Sequence, residues 1–200
     1  MRPGSGTDSQ REEPPAEVLT EAPERAMIVF AHPDDAEIGA GGTVAAWARA
    51  GCEIAYVACT TGNSGSGERG ITPDRLAPLR AREQEEEARA LGVRHVLMLD
   101  HPDGGLEDDR RFRGELVRAL RAYRPHTVLT HDPHRIGGFL HRDHQIAGLV
   151  TMDAFYPPAR TPARSGTSAA FLHFPEQIDA EGLEPHKVRQ LLLLGATGET

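Results

Sequence analysis

Two four-residue groups hold the densest chemistry in this chain: His32-Pro33-Asp34-Asp35 and His141-Arg142-Asp143-His144. Each follows an apolar run of strand character. The first comes directly after Met27–Ala31, the second beyond Thr127–Thr130 and a loop containing Gly137-Gly138. Charged groups at the end of a buried strand lose hydration unless something cationic pairs with them. A divalent metal does so, and histidine with carboxylate is ordinary zinc ligation. Adjacent residues of an extended segment point in different directions. One of Asp34 and Asp35 can therefore hold a metal while the other faces the open coordination position as a base. His141 and His144, three apart, share one face of a helical turn. His32, one aspartate and one of these two histidines supply three ligands and leave a fourth position open, as a catalytic metal requires. The remaining histidine suits a general acid or an oxyanion stabiliser, and Asp143 can orient a ring. A lone aspartate after a strand usually caps a helix, and a lone His-x-x-His pair arises by chance. Two such groups at strand ends on one edge favour a site.

The elements that must position these residues alternate in type. Met27–Ala31, Glu53–Cys59, His95–Leu99, Thr127–Thr130 and Val188–Leu194 read as strands. A helix is expected within Gly39–Ala50, with Pro33 stiffening the preceding turn and Gly39, Gly41 and Gly42 letting the backbone bend around the site. A second helix opens at Thr72-Pro73 and stops at Gly92. Asp108–Tyr123 forms a third, with Phe112, Leu116 and Leu120 at intervals of four, and Asp143–Phe155 a fourth. Within the second helix, Glu83-Gln84-Glu85-Glu86-Glu87 reads as a solvated face. The alternation predicts a three-layer α/β fold with a mainly parallel sheet. Such folds bind ligands beyond the carboxyl ends of their strands.

Residues 1–25, rich in Pro, Gly, Ser and Glu, are expected to be a disordered tail, and 26–200 one domain. Pro157–Ser168 reads as a flexible loop, and no capping helix follows Leu194, which fits either a truncated sequence or an end that is short in this member. The net charge of −8, with both signs mixed along the chain, argues against nucleic acid, which requires a concentrated basic surface. No apolar run reaches a bilayer's thickness and no secretory signal is present, so the cytoplasm is the expected location. Cys52 and Cys59 lack metal-knuckle spacing and are expected to be buried.

Ala31–Gly42 (AHPDDAEIGAGG) and His141–His144 (HRDH) resemble the PIG-L/LmbE-like family of zinc-dependent N-acetylglucosaminyl deacetylases. Supporting matches are Gly67-Glu68-Arg69-Gly70, Arg80 and Glu83, Pro102-Asp103-Gly104, Asp132-Pro133 and Pro185–Arg189. The resemblance implies a Rossmann-like fold and removal of an acetyl group from an N-acetylglucosamine-type sugar or conjugate. It implies His32, Asp35 and His144 as ligands to zinc, with iron(II) as the alternative, and Asp34 as general base toward a metal-activated water. It implies His141, supported by Asp143, as oxyanion stabiliser and proton donor to the leaving amine. Arg69 and Asp103 match sugar-contacting positions. Arg142 stands where relatives often carry proline. The expected partner is a small N-acetylated sugar conjugate, and relatives include homo-oligomers.

Three rival readings remain. One is an amidase removing a larger acyl group from an amino-sugar conjugate. Another is a non-catalytic metal- or sugar-binding protein, which would not need both Asp34 and the second histidine. The third, a dinucleotide enzyme, lacks its glycine fingerprint, since Gly39-Ala40-Gly41-Gly42 does not match it.

Overall fold

The computed structural model describes residues 19, 21–135, 141–156, 159 and 174–195. Most of the expected N-terminal tail, the loop at Gly137-Gly138, all of Pro157–Ser168 but Ala159, and the end beyond Gly195 lie outside them. Five strands, β1 (Arg25–Phe30), β2 (Glu53–Thr60), β3 (His95–His101), β4 (Thr127–His131) and β5 (Gln190–Leu194), form one sheet in the order β3-β2-β1-β4-β5. Every pairing is parallel. The helices are α1 (Asp35–Arg49), α2 (Pro73–Leu91), α3 (Arg110–Tyr123), α4 (Arg142–Phe155) and the short α5 (Pro175–Asp179).

The strands are apolar on both sides because both faces are covered. On β1, Met27 and Val29 enter one core with Phe112, Leu116 and Leu120 of α3 and Ala147 and Val150 of α4. Ile28 and Phe30 enter the other, with Val44 and Trp47 of α1 and Ala88 of α2. This gives the three layers the alternation predicts. The order reverses direction at β1: β2 and β3 extend to one side, β4 and β5 to the other. The resulting switch point lies between the ends of β1 and β4, where a crevice opens in folds of this kind.

Three readings need correction. Helix α1 begins at Asp35, so Gly39, Gly41 and Gly42 lie inside it and do not bend the chain. A methyl group on Gly39 would meet Leu194 Cδ1 of β5 at 3.4 Å, an ordinary contact. Gln84 is not part of a solvated face but fully buried, while its neighbours Glu83, Glu85 and Glu86 are exposed. The last strand starts at Gln190, two residues later than expected.

Candidate active site

Strand β1 delivers its chain end into the crevice. The Ala31 N–H donates to His131 Nε2 at 3.1 Å, tying the end of β1 to the end of β4. The chain then turns through Pro33 and Asp34 into α1. Asp34, at the N-cap, has φ 105°, a left-handed value that costs a non-glycine residue free energy and persists only where neighbours enforce it. Asp35, in the first turn of α1, accepts the His32 N–H at 2.7 Å, a favourable place for a carboxylate because helix N-termini attract negative charge.

From the far side, α4 brings Asp143 and His144. His141 is the N-cap of α4, and its Nδ1 accepts the Asp143 N–H at 3.1 Å. That bond leaves no proton on Nδ1, so the neutral ring carries its proton on Nε2.

These elements bring together two ring nitrogens and the two oxygens of one carboxylate. His32 Nδ1 lies 3.2 Å from His144 Nε2 and 3.3 Å from Asp35 Oδ2, and His144 Nε2 lies 3.1 Å from Asp35 Oδ1. A tetrahedral shell with bonds of about 2.0–2.1 Å sets its ligands about 3.3–3.4 Å apart. Two nitrogens and a carboxylate at this spacing fit a borderline-soft divalent cation.

Behind the ring of His32 stand two more carboxylates. Its Nε2 is 3.1 Å from Asp143 Oδ2 and 3.2 Å from Asp103 Oδ1. In the neutral ring the proton therefore belongs on Nε2, which leaves the Nδ1 lone pair facing Asp35 and His144. Asp143 is fully buried, and its carboxylate also accepts from Gly104 N at 2.7 Å and Leu106 N at 3.2 Å. Asp103 also accepts from Ser64 N at 3.2 Å. It follows β3, which slips by one residue against β2 after Ala58 and Met98, so that Thr60 pairs with His101.

The electrostatics follow. Burial alone would raise the Asp35 carboxyl, but the imidazoles of His131, His144 and His32 around it hold it well below the usual carboxylate range. Burial pulls the His32 imidazole down. The Asp35 hydrogen bond and charge, with Asp103 and Asp143, outweigh it and raise the ring to about 9. At His131 burial prevails over Asp35, aided by the neighbouring His144 and His32, and the pKa falls. Its ring stacks on that of His144 with centroids 4.0 Å apart.

His32, Asp35, Asp103, His141, Asp143 and His144 are thus gathered at one place. The Asp143 carboxylate turns to His32 and supports His141 only through its backbone N–H. Asp34 sits beside the cluster with its carboxylate half-exposed, and its Oδ2 accepts from Arg80 Nη2 at 2.6 Å. Arg69 is exposed. It lines an open cavity of about 710 Å³ with Glu68, Asp74 and Arg75 and bonds to none of the clustered groups.

The sequence assigns Arg80 no role, places Gln84 on a solvated face and puts His131 no nearer than the lining of the cleft. Arg80 and Gln84 are four apart and share a face of α2. A glutamine within a run of glutamates was the available signal. His131 ends a strand on the same edge as His32.

Residues 27–155 match the family model PIG-L: GlcNAc-PI de-N-acetylase. The diacetylchitobiose deacetylase of Thermococcus kodakarensis is 30% identical over 165 residues, covering 82% of this chain and 57% of that protein. The mycothiol S-conjugate amidase of Streptomyces coelicolor is 33% identical over 159 residues, covering 68% of this chain and 53% of that protein. The chain therefore spans little more than half the length of these relatives. Among solved structures, the N,N'-diacetylchitobiose deacetylase from Pyrococcus horikoshii superposes with a TM-score of 0.77 at 28% identity, over 86% of this chain and 60% of that one. With the parallel sheet, the crevice at its switch point and a family match over most of the chain, this protein belongs to the PIG-L (GlcNAc-PI de-N-acetylase) family.

Proposed function

We propose that the chain is a metal-dependent N-deacetylase acting on an N-acetylglucosamine-type sugar or conjugate. His32 Nδ1, Asp35 and His144 Nε2 would hold zinc or iron(II). The observation that carries this reading is the approach, at 3.1–3.3 Å, of His32 Nδ1 and His144 Nε2 to each other and each to one oxygen of the Asp35 carboxylate. A divalent cation held there supplies a polarised carbonyl and a water of lowered pKa. The chain's own groups do the rest. The Asp34 carboxylate takes a proton from the attacking water. The Nε2–H of His141 donates to the oxygen on which negative charge develops, and the departing nitrogen leaves as an amine after protonation from this side. Asp143 and Asp103 keep the His32 ring turned so that Nδ1 faces inward. The names of the family and of the two chitobiose deacetylases support the substrate class.

The similarity to an amidase supports a second reading in which a larger acyl group is removed. Both are separated by one assay. Protein stripped of metal and reloaded with one equivalent of zinc or iron(II) is offered a panel of N-acyl glucosamine conjugates, with acetate and amine release followed. Activity that returns with metal and is abolished in His144→Ala is the expected result. Tight metal binding with no turnover of any conjugate would sink both readings.

A further inference from the structure

Helix α2 reaches across to the strained corner before α1 with two side chains that nothing in the proposed chemistry uses. Arg80 Nη2 donates to Asp34 Oδ2 at 2.6 Å and also to the Pro33 carbonyl oxygen. Its Nη1 donates to Glu83 Oε2 at 3.2 Å. The guanidinium lies beneath the Gly62 turn, where a methyl group would come within 2.9 Å of Pro33 Cδ and 3.5 Å of Arg80 Nε. One turn along, Gln84 accepts the Asp34 N–H on Oε1 at 3.1 Å and donates from Nε2 to Glu37 Oε1 at 3.0 Å. A neutral amide is required there. A glutamate would face Glu37 with like charge, and an aliphatic residue would strand the Asp34 N–H.

An exposed Arg–Asp pair would be worth little, but this one holds a residue at φ 105°. Two bonds to Asp34 and one to the preceding carbonyl fix that backbone against its own preference. They also divide the carboxylate. Oδ2 is taken by the guanidinium, and Oδ1 has no partner among the described residues.

We propose that Arg80 and Gln84 are positioning residues that clamp the Pro33–Asp34 corner, reserving Asp34 Oδ1 as the oxygen that faces the substrate. The kinetic part of this inference rests on the deacetylase reading. In the full chain loaded with zinc, Arg80→Ala is expected to lower kcat about 10- to 100-fold, the usual cost of losing a partner that orients a working group. KM and zinc affinity should stay near wild type. Free guanidinium ion should restore part of the loss, Arg80→Lys should fall between, and Arg82→Ala on the exposed face of α2 should match wild type. In metal-free protein, Gln84→Leu should speed hydrogen exchange at the Asp34 amide with little change at amides of β1. An unchanged kcat in Arg80→Ala, a loss explained wholly by lost zinc, or an Asp34 amide equally protected in Gln84→Leu would each overturn the clamp. Zinc-loaded wild type inactive on every conjugate would overturn the deacetylase reading instead, and hydrogen exchange would then decide the clamp by itself.

Discussion

At the scale of single residues, the site depends on which atom of each side chain faces inward. Of the three histidines that touch Asp35, His32 presents Nδ1 and His144 presents Nε2. For His32 the choice is made by the buried carboxylate of Asp143 and by Asp103. Asp143→Asn replaces one accepting oxygen with a donor that would face N–H groups, so metal affinity should fall about 10- to 100-fold in a zinc titration. Asp103→Asn should cost less, because Asp143 still accepts from the ring. Asp35, with these two carboxylates, gives a pH signature in metal-free protein. The folded pKa of His32, about 9, lies above its ordinary 6.5. The ring's protonated contacts therefore stabilise the fold fully below pH 6.5 and are lost as pH rises through about 9. Urea melts of metal-free protein between pH 6.5 and 9.5 should show this decline, and His32→Gln should flatten it.

Elements meet at the site through close approaches that particular glycines allow. Gly148 of α4 faces the end of β4. A methyl group there would run into the His131 carbonyl oxygen and lie 3.1 Å from Pro133 Cδ. Gly148→Ala must push α4 outward, carrying Asp143 and His144 away from His32. The expected result is a loss of about 1–3 kcal/mol, as for other overpacked positions, together with weaker metal binding. Gly41 is the contrasting position, lying inside α1 with open space around it. Gly41→Ala should stabilise the protein by about 0.5–1 kcal/mol, because alanine loses less backbone freedom in a helix. Thermal denaturation of the two variants tests both signs. The strand and helix alternation behind this packing was legible in the sequence, since apolar runs and periodic helices reflect burial directly. The start of α1 was not. Three glycines and a proline argue locally for a bend, but the helix is held by burial of Ala36, Ala40, Val44 and Trp47 against the sheet.

Over the whole molecule, burial on both faces of the sheet makes the central strands inert to solvent chemistry. Cys59 of β2 is fully buried, and its thiol is pushed up by that burial and by Asp35, Asp143 and Glu115. Cys52 is pushed up to about 11, again chiefly by burial. Neither should react with a thiol reagent at neutral pH in the native protein, and both should label across the urea transition. Native labelling of Cys59 at a rate like that of a free thiol would contradict the two-sided core. No helix among the described residues is long and apolar enough to cross a membrane.

The sequence by itself determined the residue types of the site, the strand ends that carry them and the class of sheet. These are local quantities: a histidine and two aspartates after an apolar run are next to one another in the chain wherever they fold. Tertiary structure decided everything that depends on orientation across long separations. Asp143 meets His32 across 111 positions, Arg80 meets Asp34 across 46, and Gln84 meets Asp34 across 50. No period or spacing in the sequence encodes those meetings. They follow from strand order, which brings β1 and β4 side by side and lays α2 against α1. Only then does a buried glutamine differ from the glutamates beside it, and only then do two adjacent aspartates acquire different surroundings.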